Sequence, residues 1–351
     1  MSTVAEKITY LNDTKSAIKN ALVARGVSVS NSDTFRSYAD KIGEIGETVV
    51  VEKEITKYGV GVNTLLGDVD ENGVLRKPSN SPSCSLDLST VRALESSALS
   101  YKFGGLMNIS GVDLGSLTIV ESQGMLSAFE GCANLVDVNL SSLQTVGTQG
   151  LYRAFVSCER LTNINLSSLQ SIESNGLSNS FEGCINLVDA NLSSLTEVPV
   201  GGASCCFYNC VNLTNVNLSS LQSVSQDGAN SMLACCFHLV NVDLHSLVYV
   251  DVGGLSYMFS SCPALESVDL SSLTSVGNYG LNCMFDNCVN LVSVSFPALK
   301  NIQNDSFNSM FNNCTSLTEI HFRADMQATI EATEGYSEKW GASNATVYFD
   351  L

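Results

Sequence analysis

Apolar positions return along this chain with a fixed spacing of 26 residues. The unit that begins at Phe129 is apolar or small at Phe129, Cys132, Leu135, Val138, Leu140, Leu143 and Val146. Seven steps of 26 residues lead from Phe129 to Phe311 without an insertion. Weaker matches extend the frame upstream to residues 86–94. The chain is therefore predicted to repeat one structural unit many times.

Within each unit, the hydrophobic pattern predicts one short strand. Val138 and Leu140 alternate with Asp137 and Asn139, which is the period of a strand that buries one face. Such a strand cannot bury its apolar side alone, so neighbouring units stack and pair their strands in parallel. Repeats of 20–29 residues with an L-x-x-L-x-L core are typical of leucine-rich repeats. The predicted fold class is an α/β solenoid with a parallel sheet, in which about ten strands span roughly 45 Å.

The remaining parts of the pattern predict turns, a short helix and a cap. Gly147 to Gly150 should turn the chain, and Leu151–Phe155 should form a short helix opposite the strand. The pattern breaks after His321. Residues 325–339 are predicted to be helical and Thr346–Phe349 to be a last strand, which together would cover the final repeat.

Four segments follow from these patterns. They are a helical attachment or oligomerisation module at 1–48, a β-prone linker at 49–81, the solenoid at 82–325, and a cap at 326–351. In the first segment, Asn12-Asp13-Thr14 and Ser32-Asp33-Thr34 offer caps for helices over 15–25 and 34–42. A helical hairpin of this size buries too little to be stable alone, so we expect it to self-associate or to dock on another protein.

The repeat F-x-x-C-x-x-L-x-x-V-x-L-x-x-L-x-x-V resembles the BspA-type leucine-rich repeats of bacterial surface proteins, over about residues 82–325. Proline usually follows the strand in that family. Here serine takes its place in most repeats, and only Phe296-Pro297-Ala298-Leu299 restores the proline. The resemblance implies a non-enzymatic adhesin at the cell surface that binds host matrix proteins or glycans.

A second resemblance concerns the N-terminus alone. The stretch Leu11–Ile42 is similar to N-terminal segments of structural proteins from phages and prophages of gut bacteria. It implies a virion component of tail or fibre type, attached to the particle or self-associated through residues 1–48. The solenoid would then bind a protein or glycan on the host surface.

Charge narrows the range of partners. Residues 1–81 hold 10 Lys/Arg and 11 Asp/Glu, and residues 82–351 hold 7 and 24, so the two parts carry −1 and −17. So acidic a body repels phosphate backbones and anionic lipid surfaces. The sequence also shows neither an apolar signal segment nor a run of about 18 apolar residues. We therefore expect no nucleic-acid partner, no membrane insertion, and a place on a virion or a bacterial surface.

Cysteine and histidine patterns favour structure over chemistry. Eight cysteines share one position of the repeat, three residues after its Phe or Leu, where a small apolar side chain fits the interior. These are Cys132, Cys158, Cys184, Cys210, Cys236, Cys262, Cys288 and Cys314. The thiols expected to be more exposed are Cys84, Cys205, Cys206, Cys235 and Cys283. Zinc-ligand spacing and nucleophile motifs are absent from the sequence, so no metal, cofactor or catalytic residue is predicted.

The outward positions of the strands form the predicted binding surface. They are rich in short amides and carboxylates: Asp137, Asn139, Asn163, Asn165, Asp189, Asn191, Asn215, Asn217, Asn241, Asp243 and Asp269. Solenoids commonly bind along an extended strand face, and these groups suit sugar hydroxyls or another polar polymer. Two alternatives stay open, namely a face that only contacts solvent and a calcium ladder along the aspartates. A hydrolase is the weakest alternative, because it would need a carboxylate pair in a groove with displaced pKa values.

Overall fold

The computed structural model describes residues 48–50, 84–89, 91–303 and 305–351. The predicted helices over 15–25 and 34–42, and the rest of the segments at 1–48 and 49–81, lie outside these residues. Only the backbone of strand β1 (Thr48–Val50) is described there, within the stretch predicted to be β-prone. It pairs in parallel with the first strand of the solenoid, Cys84–Asp87.

The repeats stack as successive coils, and the longer strand of each coil lies on one side, which we call the first ladder. Its members are β2 (Cys84–Asp87), β4 (Ile109–Asp113), β6 (Asp137–Asn139), β8 (Asn163–Asn165), β10 (Asp189–Asn191), β12 (Asn215–Asn217), β14 (Asn241–Asp243), β16 (Ser267–Asp269), β18 (Ser293–Phe296), β20 (Glu319–Phe322) and β21 (Thr346–Phe349). Within the repeats, paired strands are parallel and in register at 26-residue steps, as in Asp189 opposite Asn215. Pairing is interrupted between β6 and β8, between β12 and β14, and between β16 and β18. The predicted parallel solenoid is thereby confirmed.

A second side of each coil carries a shorter strand, and these form the second ladder. Its members are β3 (Ala93–Leu94), β5 (Ile119–Val120), β7 (Thr145–Val146), β9 (Ser171–Ile172), β11 (Glu197–Val198), β13 (Ser223–Val224), β15 (Tyr249–Val250), β17 (Ser275–Val276) and β19 (Asn301–Ile302). Pairing runs from β3 to β9 and from β11 to β19, with a break between β9 and β11. Pro199 lies at this break and has no N–H to donate. At the intact steps, the equivalent N–H of Glu173 donates to Val146 O and that of Ser225 to Val198 O.

The third side of the coil is built from turns, and the short helix predicted over Leu151–Phe155 is wrong. Tyr152 N donates to Gln149 O and Ala154 N to Leu151 O, so each bond closes a four-residue turn. The alternate N–H groups point to the next coil instead, as Leu151 N does to Gly176 O at 2.9 Å. Positive φ angles at Gln149 and Arg153 (55° and 56°) separate the turns. An α-helix would direct every N–H back along its own coil, whereas here half of them hold the stack together.

The apolar positions of the repeat fill one continuous core between the three sides. Phenylalanines of successive coils stack face to face, with ring centroids 4.9 Å apart for Phe103 and Phe129 and 5.4 Å for Phe129 and Phe155. Leu233 replaces phenylalanine in one coil, and the stack resumes from Phe259 to Phe285 at 5.7 Å. Each coil alone would expose these rings, so stacking is what buries them.

The C-terminal cap agrees with the prediction in part. Two 3₁₀ helices, Ala324–Met326 and Tyr336–Gly341, flank α1 (Gln327–Glu331), so the predicted helix over 325–339 is divided. Gly335, at a φ of 79°, begins the second part. Strand β21 lies where it was predicted and pairs in parallel with β20. Trp340 is 1% exposed and packs edge-on against Phe307 and Phe322, which closes the end of the core.

Candidate binding surface

The first ladder brings all the predicted site residues to one face of the molecule, in two parallel rows. We call outer row the residues Asp137, Asn163, Asp189, Asn215, Asn241, Ser267, Ser293 and Glu319. We call inner row the residues Asn139, Asn165, Asn191, Asn217, Asp243 and Asp269. Both rows point away from the core, since the residue between them in each strand is inward. The two rows nevertheless differ in what their side chains do.

The inner row has a structural task that the sequence did not reveal. In each coil the side-chain oxygen accepts the backbone N–H two residues later, and so ends the strand in an Asx turn. Asn165 Oδ1 accepts from Ser167 N at 3.0 Å, Asn191 Oδ1 from Ser193 N at 3.0 Å, and Asp269 Oδ1 from Ser271 N at 2.9 Å. The side chains of this row are therefore partly committed to turning the chain.

The outer row contacts mainly itself and solvent. Asp189 is the clearest case, because it accepts Asn215 Nδ2 at 2.6 Å from the next coil. In the amide orientation that satisfies both its polar atoms, Asn163 Nδ2 lies 3.3 Å from the other oxygen of Asp189. Ser267 Oγ likewise donates to Asn241 Oδ1 at 2.8 Å. These exposed cross-coil bonds hold polar groups at fixed spacing without burying them.

An apolar row beside the outer row was missed by the sequence interpretation. One residue before each outer-row position, the chain carries Val136, Thr162, Val188, Thr214, Val240, Glu266, Val292 and Thr318. We call these residues the valine row. Its four valines are among the exposed large apolar side chains. Their position next to a strand resembled core packing in the sequence, and only the exposure in the folded chain marks them as surface.

Two histidines lie beside this face, one near its middle and one near its C-terminal end. His245 Nδ1 lies 2.7 Å from Asp243 Oδ1, and the backbone N–H of His245 donates to the same oxygen at 3.0 Å. That backbone bond, followed by the imidazole, lowers the pKa of the Asp243 carboxyl. His321, on the outer face as expected, contacts Asp350 and stacks on Tyr348 with ring centroids 4.9 Å apart.

The repeated thiols are interior groups, as predicted. Each Sγ donates to the backbone carbonyl of the Phe or Leu in the preceding coil, as Cys184 does to Phe155 O at 3.2 Å. Burial raises the pKa of the Cys184 and Cys262 thiols to about 12, which keeps them protonated and able to donate. Of the residues expected to be more exposed, Cys205, Cys235 and Cys283 are partly exposed, but Cys206 is buried. The side chain of Cys84 lies outside the described residues.

Groups for metal or acid–base chemistry do not gather on the described part of the chain. Within residues 84–89, 91–303 and 305–351, no three His, Cys, Asp or Glu side chains converge as metal ligands. One carboxylate pair, Glu334 with Asp305, raises the pKa of Glu334 through their mutual hydrogen bond and repulsion. Glu334 is exposed on the surface of the cap.

Comparison with known proteins agrees with this geometry. The family model described as "BspA type Leucine rich repeat region" matches residues 100–235, 178–310 and 255–333. These matches span more than half of the chain, which therefore belongs to the BspA-type leucine-rich repeat family. No curated protein matches the chain. The fold class and the repeat resemblance are confirmed, whereas nothing found here supports the resemblance of residues 11–42 to phage proteins.

Two experimentally determined structures are similar to this chain at low identity and low TM-score. The pneumococcal vaccine antigen PcpA is 16% identical with a TM-score of 0.35, over 87% of this chain and 85% of that one. The mouse RP105/MD-1 complex is 16% identical with a TM-score of 0.29, over 75% of this chain and 50% of that one. Neither likeness identifies a ligand.

The family and the lengths of the described helices give information about cellular location. BspA-type leucine-rich repeat proteins are typically surface-associated. In the described residues, every helix is too short to cross a lipid bilayer. Leucine-rich repeat solenoids are typically binding scaffolds.

Proposed function

We propose that this chain is a non-enzymatic recognition protein, which binds a protein partner at a bacterial or host surface through its first ladder. The observation that carries the proposal is the outer row, whose exposed side chains, apart from Glu319 beside His321, bond mainly to each other. The inner row turns the chain, and the core and the cysteines pack it. The outer row and the valine row beside it are thus available to contact a ligand.

The chemistry of the face supports binding over catalysis. Its polar groups are mostly neutral amides and hydroxyls, which exchange hydrogen bonds with a partner at a lower desolvation cost than charges. A flat array of this kind offers contact area instead of a pocket, as in protein interfaces. Among the described residues, Glu334 shows the raised carboxyl pKa that a hydrolase would need, through its contact with Asp305, and its side chain is exposed on the cap.

A binding array with two matched variants tests this proposal. The full chain is applied to immobilised host matrix proteins and glycans. In the first variant, three outer-row side chains are replaced by Asp137→Ser, Asp189→Ser and Asn215→Ser. Serine already occupies this row at Ser267 and Ser293. In the control, Glu197→Ser and Asp251→Ser remove the same number of charges from the second side.

We expect the outer-row variant to bind its protein partner at least tenfold more weakly, because the side chains that contact the partner are lost. The control should bind within twofold of the wild type. Circular dichroism checks that both variants remain folded. Unchanged binding by a folded outer-row variant, or binding to glycans alone, would contradict the proposal.

The virion hypothesis remains a separate prediction, because it depends on residues 11–42. It assigns attachment to a phage particle, or self-association, to residues 1–48. Electron microscopy of particles from the producing strain, labelled with an antibody against the solenoid, tests it. Label on tails or fibres would support the hypothesis, and label on cell envelopes alone would favour the adhesin.

A further inference from the structure

The valine row has a period of two coils, although the fold repeats every coil. Val136, Val188, Val240 and Val292 follow each other at intervals of 52 residues. Their exposed fractions are 37%, 37%, 36% and 52%. The coils between them place Thr162, Thr214, Glu266 and Thr318 at the same position. Because the core repeats every 26 residues, packing alone gives no reason for this doubled period.

Backbone bonds set part of the spacing along the row. Val188 N donates to Thr162 O at 2.8 Å, and Thr214 N donates to Val188 O at 3.0 Å. Each valine-to-valine interval also contains one step at which the first-ladder strands are not paired, namely β6 to β8, β12 to β14 or β16 to β18. Neighbouring strands lie about 4.7–4.9 Å apart, so successive valines are separated by about 9.4–9.8 Å along the axis. The row therefore presents an exposed apolar side chain at every second coil.

Charge follows the same period in the first half of the face. Asp137 and Asp189 come directly after valines, whereas Asn163 and Asn215 come directly after threonines. Each exposed valine is thus paired there with a carboxylate, and each threonine with a neutral amide. Glu266 and Glu319 add two further carboxylates toward the C-terminal end of the same face. The ligand that matches this pattern is apolar and basic at regular intervals.

We propose that the partner segment is an extended basic polypeptide in the polyproline II conformation, which lies along the valine row and presents an apolar residue at every third position. This inference rests on the proposed function. Three residues of polyproline II advance about 9.3 Å, which differs from the valine spacing by only about 0.3 Å. Over the three intervals of the row the mismatch stays near 1 Å.

Other regular peptide conformations match the spacing of the valines less well. Two residues of a β-strand advance about 6.6–6.8 Å, and four advance about 13 Å. A heptad of an α-helix advances about 10.5 Å, so its fourth contact would miss by about 2–3 Å. Polyproline II also leaves its backbone carbonyls unpaired, and the amides of the outer row can donate to them. Lysine or arginine beside the apolar residue would meet Asp137 and Asp189.

Synthetic peptides with the full chain test this inference. The probe is (Pro-Val-Lys) repeated five times, and its comparison is a peptide of the same composition with the three residue types shuffled out of period. Affinity is measured by fluorescence anisotropy at low and physiological salt. We expect the periodic peptide to bind at least tenfold more tightly, with an affinity that falls as salt rises.

Variants of the row assign any binding to it. Val188→Thr with Val240→Thr should abolish the preference for the periodic peptide, since threonine already occupies the alternate coils. Ile119→Thr removes an apolar side chain of similar exposure from the second ladder, and should change nothing. Equal binding of the two peptides, or equal loss with Ile119→Thr, would overturn the inference, as would tighter binding of a helical peptide with valine every seventh residue.

The experiments distinguish failure of the proposed binding face from failure of the proposed ligand conformation. If the outer-row variant loses its natural partner while the periodic peptide shows no advantage, the face binds a ligand of another shape. If the outer-row variant keeps its natural partner, the face is not the binding surface, whatever the peptides do.

Discussion

At the scale of single residues, the cysteine ladder explains why this position of the repeat is so constant. The carbonyl of Phe129 accepts Cys132 N in its own coil and Cys158 Sγ from the next one. A thiol satisfies the second lone pair while its sulfur fills apolar space. Alanine would leave a small cavity and lose the bond, and serine would fill less space. The cysteine thus links packing and hydrogen bonding between coils.

Alkylation should distinguish neighbouring cysteines in the sequence. In the native protein we expect iodoacetamide to modify Cys205 and Cys235 well before Cys206 and Cys236, because the latter two are buried and burial raises the pKa of their thiols. Peptide mass spectrometry after short exposures measures the ratio, and the unfolded chain serves as the control in which all sites react. Equal labelling of Cys205 and Cys206 in the native protein would contradict the assigned orientation.

The sequence predicted the buried ladder but not the orientation of every other residue. Cys206 was expected to be exposed because it departs from the repeat position. In the folded coil, residues of the turn segment face in and out in pairs: Ser204 and Cys205 are partly exposed, and Cys206 and Phe207 are buried. Cys205 takes the positive φ (53°) at an outer position. The Asx role of the inner row was equally hidden, because an asparagine that ends a strand and one that awaits a ligand look alike in sequence.

At the scale of elements, the most informative departure is the break in the second ladder at Pro199. No backbone bond joins the described residues 196–199 to residues 170–172, whereas Gln222 N and Ser223 N both donate to Thr196 O at the next step. A cavity of about 160 Å³ opens there, lined by Gln170, Ser171, Ile172, Thr196, Glu197, Pro199 and Ser225. A single residue without an N–H thus opens one side of one coil.

Restoring the donor should close the break. In Pro199→Ser we expect the amide protons of Thr196 and Glu197 to exchange with solvent at least tenfold more slowly. The free energy of unfolding should change by less than about 1 kcal/mol, because a new hydrogen bond offsets the lost restriction of the unfolded chain. Hydrogen exchange followed by mass spectrometry, together with urea unfolding, measures both quantities.

The converse variant is the control for this prediction. Ser225→Pro removes the bond from Ser225 N to Val198 O, which is 2.8 Å long. We expect it to lower the free energy of unfolding by about 1–3 kcal/mol, since the carbonyl loses its partner. If Pro199→Ser left exchange unchanged, the proline would not be the cause of the break.

The stability of the C-terminal cap should depend on pH through His321. Partial burial lowers the pKa of this imidazole, but its hydrogen bonds to Asp350 and Glu319 outweigh that effect, and the net pKa is raised. A raised pKa in the folded state stabilises at pH values below about 6.5, and this stabilisation is lost as pH rises through the folded value. Asp350 follows β21, so the contact fastens the cap.

Melting temperatures of the wild type and His321→Gln measure this contribution. We expect the difference between them to be largest near pH 5.5 and to shrink toward pH 8.5. Asp350→Asn should reproduce the loss at low pH. A difference that grows with pH would mean that the imidazole does not fasten the cap as a cation.

The turn segments show why element types can be misjudged from a repeat. Residues 151–155 combine apolar side chains with good helix formers, so local preference favours a helix. The stack overrides this preference, because a coil that turned all its N–H groups inward would leave its neighbour unbonded on that side. The strands of the first ladder had no such conflict and lie where the alternating pattern predicted them, whereas the short second strand of each coil was not predicted.

At the scale of the whole molecule, stability should depend on complete coils. Deleting residues 155–180 removes 26 residues and joins Ala154 to Phe181, which is the equivalent of Phe155. We expect this variant to unfold cooperatively within a few degrees of the wild type, because each coil contacts only its neighbours. Thermal unfolding followed by circular dichroism provides the measurement.

Deleting 155–167, half a coil, is the matched comparison. It shifts every following apolar position out of line with the preceding coil, and we expect loss of cooperative unfolding. If both deletions behaved alike, the 26-residue register would not be what holds the stack.

Most of the architecture could be predicted because one physical constraint acts in every repeat. Val138, Ile164 and Val216 are equivalent inward positions, and the same pattern locates their strands. The binding face could be predicted only in outline. Its polar rows were foreseen, but Val188 and Val240 were not, because exposure of an apolar side chain at a strand end depends on how the coil enters the strand. The cap was predicted less completely than the repeats, because its sequence occurs only once and no second copy reinforces its pattern.

The open step beside Pro199 also has a mechanical meaning. At this step the first ladder (β8 with β10) and the turn side remain bonded, but the second ladder contributes no backbone bond. A stack of coils bends more easily at a joint where one side lacks such bonds. The two stretches of the first ladder on either side of that joint can therefore tilt relative to each other, and a ligand that is not straight could be followed without breaking a coil.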